Sequence, residues 1–338
     1  LLPGSGPAAA LSGTAAQPAR ATPHAGRGGH TGGNLLVSTD THPQLEPAIA
    51  YNPTADEYLA VWGADGDLIG QRYSAQGIPQ GESFTISNAE HYNSHPAVAY
   101  SPDSQGYLVV WRTLLGTSSA IFGQLLAADG TLLDNPFTPE DESDPAVSFA
   151  IGDSGLGAQQ RPVIACNTDA DEYLLVWEDE RNGNWDLYGR LVDADGFFLT
   201  ANLTLITDTA KQSFPALAYN GTAHNYLLLW ENGEGLDARI YRQILDAGGN
   251  PVEPQGPLSP NRAWSPSLAY DTAQNRYLVV CVEPGTSGDE IGGQLVDAEG
   301  SPLGSPLTIC AGLESCQTPR VAYNPTLRQY LVVWRDWR

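Results

Sequence analysis

The 338-residue sequence predicts an all-β chain, built as six repeats of a four-stranded antiparallel sheet, and three observations carry that reading. One phrase, Pro-x-x-Ala-Tyr followed by Tyr-Leu-x-Val-Trp, recurs six times with small variations. Between its copies lie short apolar segments separated by Gly, Pro, Asn and Asp, the punctuation of tight hairpins. The composition agrees: 36 Gly and 25 Pro accompany only 16% charged residues, below the roughly 25% usual in soluble proteins.

The repeats run in order. The first pairs Pro47-Ala-Ile-Ala-Tyr51 with Tyr58-Leu-Ala-Val-Trp62, and the second Pro96-Ala-Val-Ala-Tyr100 with Tyr107-Leu-Val-Val-Trp111. The third has Pro162-Val-Ile-Ala-Cys166 and Tyr173-Leu-Leu-Val-Trp177; the fourth has Pro215-Ala-Leu-Ala-Tyr219 and Tyr226-Leu-Leu-Leu-Trp230. Pro266-Ser-Leu-Ala-Tyr270 with Tyr277-Leu-Val-Val-Cys281, and Pro319-Arg-Val-Ala-Tyr323 with Tyr330-Leu-Val-Val-Trp334, complete the series. The prolines are spaced by 49, 66, 53, 51 and 53 residues, a period suited to propeller blades.

Each repeat supplies four strands. The two halves of the phrase are the first and second. Leu68–Tyr73, Ile121–Leu125, Leu187–Val192 and Ile291–Val296 read as third strands, followed by turns such as Asp193-Ala-Asp-Gly196. Ser83–Ser87 and Leu203–Ile206 read as fourth strands. Such sheets cannot bury both faces alone, and radial stacking covers them while leaving few edges. A six-bladed β-propeller over residues 34–338 is therefore expected, with an insertion at about 134–161. That stretch holds a second phrase, Pro145–Phe149, and a long loop of this kind often makes contacts.

Ring closure is the open point. Asn34–Ser38 matches a fourth strand, yet no segment after Trp334 matches a third. The last blade is closed by N-terminal strands, or completed by a partner chain, or belongs to a truncated sequence. Residues 1–33 form a Gly/Ala/Pro-rich tail with Arg20, His24, Arg27 and His30 and no acid. The tail carries +2 and the remainder −25, which makes it a candidate assembly segment for an acidic neighbour. A start at Leu1 fits a mature secreted protein.

Charge and spacing exclude several functions. With 16 Lys+Arg against 39 Asp+Glu the net charge is −23, which repels nucleic acid and anionic lipid. No apolar run is long enough for a membrane-spanning helix. There is no phosphate loop, Gly-x-Ser-x-Gly elbow, His-Glu-x-x-His or sialidase Asp-box. Cofactors are expected to be none, with calcium the only candidate. Cys310 and Cys316 can close a small disulfide loop in an oxidising compartment, whereas Cys166 and Cys281 read as buried, unbridged space-fillers. Asn202 and Asn220 match the N-glycosylation pattern, a match common by chance.

Aromatics that recur once per blade fit the core: Tyr58, Trp62, Tyr107, Trp111, Tyr173, Trp177, Tyr226, Trp230, Tyr277, Tyr330 and Trp334. Function belongs where repeats differ. Loops between second and third strands share a face with those between fourth and first strands. There Trp185, Trp264 and Tyr92, beside Asp179, Asp186 and His95, could bind glycans by stacking and hydrogen bonding, or hold a hard cation. A solvated acidic rim with aromatics packed sideways is the plainer alternative.

The run Tyr173-Leu-Leu-Val-Trp-Glu-Asp-Glu-Arg181 with Asp186-Leu-Tyr-Gly-Arg-Leu-Val-Asp-Ala-Asp-Gly196 resembles repeats of secreted and surface propeller proteins of environmental bacteria. The resemblance covers nearly everything after residue 34 and implies extracellular display with no particular chemistry. The sequence thus points to a non-catalytic extracellular protein with a structural or adhesive role, self-assembling into a polymer or filament through its tail. A carbohydrate-binding propeller and a secreted polysaccharide-active enzyme are the alternatives.

Overall fold

The computed structural model describes residues 43–87, 91–137, 148–153, 155–312 and 315–336. The tail with Arg20, His24, Arg27 and His30, the expected strand Asn34–Ser38 and residues 138–147 of the insertion lie outside the described residues. The rest is all-β: five four-stranded antiparallel sheets and one two-stranded sheet, arranged as the blades of a propeller.

Blade 1 comprises β1 (Gln44–Asn52), β2 (Glu57–Ala64), β3 (Asp67–Ser74) and β4 (Pro79–Thr85). Blade 2 comprises β5 (Asn93–Ser101), β6 (Gly106–Leu115), β7 (Ser118–Ala127) and β8 (Phe149–Ala150). Blade 3 comprises β9 (Gln159–Asn167), β10 (Glu172–Asp179), β11 (Asp186–Asp193) and β12 (Leu203–Ile206). Blade 4 comprises β13 (Gln212–Asn220), β14 (Asn225–Asn232), β15 (Arg239–Asp246) and β16 (Gly256–Pro257). Blade 5 comprises β17 (Trp264–Asp271), β18 (Arg276–Pro284), β19 (Asp289–Asp297) and β20 (Pro302–Cys310). The last sheet has β21 (Cys316–Asn324) and β22 (Gln329–Asp336).

Two placements differ from the sequence reading. In blade 1 the outer strand begins earlier than Ser83, because its pairing with β3 starts at Pro79. Of the Pro145–Phe149 phrase the structure describes only the end, from residue 148. Its Phe149 opens β8, and the ring packs against Phe137 and Phe198. The insertion therefore contains the outer strand of its own blade.

Packing follows from strand alternation. In the second strands the Leu and following Val (Leu229 in blade 4) point one way, and Tyr, the middle aliphatic residue and Trp (Cys281 in blade 5) point the other. Leu59 and Val61 of blade 1 meet Tyr107, Val109 and Trp111 of blade 2. Leu108 and Val110 meet Tyr173, Leu175 and Trp177. Leu174 and Val176 then meet Tyr226, Leu228 and Trp230. The same joint recurs between blades 4 and 5, where Cys281 replaces Trp, and between blade 5 and the last sheet. Burying each such Leu or Val contributes about 1.5–3 kcal/mol. Trp62, Tyr107, Trp111, Tyr173, Trp177, Tyr226, Trp230 and Tyr277 are buried as expected, while Tyr58, Tyr330 and Trp334 in the end blades are half-buried.

Buried indoles find an acceptor two residues along the strand. Trp177 Nε1 donates to Asp179 Oδ2 at 3.1 Å, Trp111 Nε1 to Thr113 Oγ1 at 2.9 Å, and Trp230 Nε1 to Asn232 Oδ1 at 3.3 Å. Tyrosines opposite one another on first and second strands pack in five blades, with centroids 4.9–5.2 Å apart. In blade 3 that place is taken by Cys166 opposite Tyr173. Cys166 and Cys281 are unbridged but half-buried rather than fully enclosed. Burial pushes the Cys166 thiol up to about 12 and the Cys281 thiol higher still.

One backbone device is shared by all six blades. The residue before each first-strand proline, namely Glu46, His95, Arg161, Phe214, Ser265 and Thr318, has φ between 48° and 53°. The register with the second strand slips there in each sheet, the mark of a β-bulge. Positive φ is costly outside glycine, so its sixfold recurrence marks a structural requirement of the blade.

Candidate functional site

First strands lie against one another from blade to blade, β1 with β5, then β9, β13, β17 and β21. Their bulges place six different residues at one equivalent position of the blades. The bulge also turns an N–H toward the preceding blade, where a carboxylate accepts it. Phe214 N donates to Glu178 Oε1 at 2.7 Å, and Ser265 N to Glu231 Oε2 at 3.3 Å. Blade 1 carries Gly63 at the position of Glu178, and Glu46 serves instead, accepting from His95 N at 2.6 Å. These three acids therefore work as joints between blades. Glu178 is further bound by Arg161 Nη1 at 3.1 Å and by Gln160 Nε2 at 2.7 Å. Arg161 stacks on Phe214 with its guanidinium carbon 4.3 Å from the ring centre.

His95 and Tyr92 are brought together. They line a groove of about 200 Å³ between blades 1 and 2 with Leu45, Glu46, Asn93 and Arg112. His95 Nε2 lies 3.1 Å from Glu46 Oε1. Burial holds the imidazole below its ordinary value; Glu46 opposes that shift, and Arg161 and Arg112 reinforce it. Tyr92 is exposed on the rim.

The other four residues do not join this groove. Asp179 is fully buried and saturated, receiving Arg181 Nη2 at 2.6 Å, Gln159 Nε2 at 3.0 Å and the Trp177 indole. It braces blade 3 and is not available to a ligand, contrary to the sequence reading. Trp264 packs into the joint between blade 5 and the last sheet, and Arg262 stacks over it at 4.5 Å. It offers no open stacking face. Trp185 is half-buried, its carbonyl accepting from Gln212 N at 2.7 Å.

Asp186 lines a separate open depression of about 650 Å³ with Asn182, Gly183, Asn184 and Thr207, Asp208, Thr209. These residues come from the second–third loop of blade 3 and its link to blade 4. The two loop sets share this face, as the bonds Asn93 N to Gly66 O and Gly233 N to Lys211 O also show.

The glycosylation matches do not survive the geometry. Asn220 is fully buried: its Oδ1 accepts from Thr222 N and Ala223 N, and its Nδ2 donates to Asn275 Oδ1. It builds the turn between β13 and β14, an Asx turn. Asn202 Nδ2 donates to Asp153 Oδ2 at 2.5 Å in a half-buried setting. Asp193-Ala-Asp-Gly196 is a hairpin turn, with Asp193 Oδ1 accepting from Asp195 N and Phe197 N. Cys310 and Cys316 are disulfide-bonded, Cα–Cα 6.5 Å, tying β20 to β21; Asp336 lies beside them.

Sequence reasoning missed the third-strand glutamines. Gln71, Gln124, Gln243 and Gln294 each donate Nε2 to the carbonyl of the next residue and to one on the outer arm of the blade. Their recurrence four times at one place was the available signal. Arg190 stands there in blade 3 and reaches instead to Ile151 O and Asp153 of the insertion.

No protein-family model matches the chain, and no curated protein matches it in sequence. Solved structures do. A Dyadobacter fermentans protein of unknown function aligns with TM-score 0.59 and 10% identity over 83% of this chain and 87% of its own. Kuenenia stuttgartiensis hydrazine synthase aligns at 0.55 and 9%, over 85% and 83%. An exo-β-1,3-galactanase of Phanerochaete chrysosporium, solved with galactose, aligns at 0.51 and 11%, over 85% and 66%. At such identities the likeness is one of fold alone.

Proposed function

We propose that the chain is a non-catalytic, extracellular structural propeller that associates with copies of itself. The observation that carries this reading is the uncovered face of the last sheet. Leu331 and Val333 are 66% and 53% exposed, whereas Leu59, Leu108, Leu174 and Leu227 are at 0% and Leu278 at 5%. The partner such a face takes inside the chain is a Tyr–aliphatic–Trp face in four joints of five, with Cys281 for Trp in the fifth, and blade 1 carries one in Tyr58, Ala60 and Trp62. Among the described residues these pack only within their own blade. No pairing comparable to β17 with β21 joins β21 to β1. A second copy's first blade, seated on the last sheet, repeats the joint the chain already uses five times. Such head-to-tail contacts are heterologous and build rings or filaments.

The tail, residues 1–33, carries two arginines and no acid, a charge that suits an acidic neighbour. Two such charges add little affinity by themselves. A non-catalytic role is supported by the occupation of Glu46, Glu178 and Glu231 in blade joints. A disulfide suits an oxidising compartment, consistent with display outside the cell. Deleting residues 1–33 tests the tail: the deletion is expected to weaken assembly measured by light scattering, and undiminished assembly would remove the tail from the account.

A further inference from the structure

We infer a calcium site in the open depression of blade 3, anchored by Asp186. Asp186 is 1% exposed, and its Oδ1 is buried with no hydrogen-bond partner. Its Oδ2 accepts from Asn182 Nδ2 at 2.7 Å. The nearby cations are committed elsewhere, Arg181 to Asp179 and Asp153, and Arg190 to Asp153 and Ile151 O. A buried carboxylate oxygen left without a donor is costly, and a bound cation is one of the few ways to offset it.

The surrounding donors are oxygens. Asn182, Asn184 and Asp186 stand at alternating positions of one loop and line one depression. Both amide nitrogens are engaged: Asn182 Nδ2 bonds Asp186 and Tyr188 Oη, and Asn184 Nδ2 bonds the carbonyls of Asp208 and Ala210. Their oxygen ends are what remain for a ligand. Across the depression, Asp208 holds the Thr209 N–H with Oδ1 at 2.6 Å, leaving Oδ2, and Thr207 and Thr209 add hydroxyls and carbonyls. Two carboxylates among neutral oxygens, in an irregular open site, suit calcium, which takes six to eight oxygens flexibly. Magnesium demands a tight octahedron and dehydrates reluctantly. No sulfur or imidazole lines the site, so zinc has no fitting ligand set there. The other second–third loops lack this alternation: blade 1 has the short Asp65-Gly66 turn, and blade 4 forms a short 3₁₀ turn at Gly235–Asp237.

Calorimetric titration of the full chain with calcium chloride is the test, run beside magnesium chloride and read also through thermal melting and Trp185 emission. The expected result is one site per chain with Kd on the order of 0.1–1 mM, typical of extracellular calcium modules, and weaker magnesium binding. Asp186→Asn should weaken calcium binding at least tenfold while leaving the calcium-free melting temperature equal or higher, since the orphaned charge is gone. Asp208→Asn and Asn184→Ala, at more accessible positions, should weaken it several-fold and keep the inference testable if the Asp186 variant does not fold. Absence of heat and of any melting shift up to about 10 mM calcium overturns the site. So does an Asp186→Asn protein, or an Asp208→Asn protein, that binds as tightly as the parent.

Discussion

Blade 3 and the last sheet carry nearly the same second strand, Tyr173–Trp177 and Tyr330–Trp334, yet they live in different surroundings. In blade 3 the Leu and Val are sealed by blade 4, and Tyr and Trp by blade 2. In the last sheet Tyr330 and Trp334 find blade 5, but Leu331 and Val333 meet solvent. Identical strand chemistry therefore stabilises the fold at one place and offers a contact surface at the other. Neighbours, and not propensity, decide which.

Substitutions can break this contrast. Trp177→Ala should destabilise by about 3–5 kcal/mol in denaturant unfolding, and Trp334→Ala by clearly less, because its indole is only half covered. Equal losses would deny the difference between the two regions. Leu174→Ala is expected to cost about 2–5 kcal/mol, while Leu331→Ala should change single-chain stability by no more than about 0.5 kcal/mol and chiefly reduce self-association. Breaking the bridge with Cys316→Ser should cost about 2 kcal/mol, felt first in the last sheet. Hydrogen exchange resolved by blade would show it there and spare blade 3.

Glu231 offers a smaller effect with a definite sign. Burial raises its carboxyl above the ordinary 4.5, partly offset by the Ser265 N–H and then by Lys211. A raised folded value means the stability this group contributes is complete below 4.5 and lost as pH climbs through the folded value. Glu231→Gln should flatten that decline above pH 4.5, read from melting temperature against pH; an unchanged slope would assign the decline elsewhere. Smallest of all, iodoacetamide at about pH 8 should label neither Cys166 nor Cys281 in the native protein, since burial keeps both thiols protonated. Rapid labelling would mean the blades open locally.

Much of the fold was legible because each blade repeats its signal. The second strands, the Leu203–Ile206 outer strand and the Tyr and Trp core positions follow from period and alternation. The site was harder. Asp179 and Asp186 both sit in the loop-bearing run of blade 3, and nothing in the sequence distinguishes the one saturated by Arg181 from the one left with an orphaned oxygen. That depends on where Arg181 folds back. Asn220 shows the same limit: its glycosylation pattern and its Asx turn share one residue type, and only burial separates them. Trp264 looked like a platform until Arg262 and the neighbouring sheet covered it.

The central claim is that the Leu331–Val333 face is an interface between copies. Molar mass measured by light scattering across a concentration series tests it most directly, with the parent chain beside a Leu331→Asp, Val333→Asp double variant. The parent is expected to grow in mass with concentration while the double variant, with unchanged circular dichroism, stays at the mass of one chain. A parent chain that remains at single-chain mass throughout, or a variant that assembles equally well, contradicts the account.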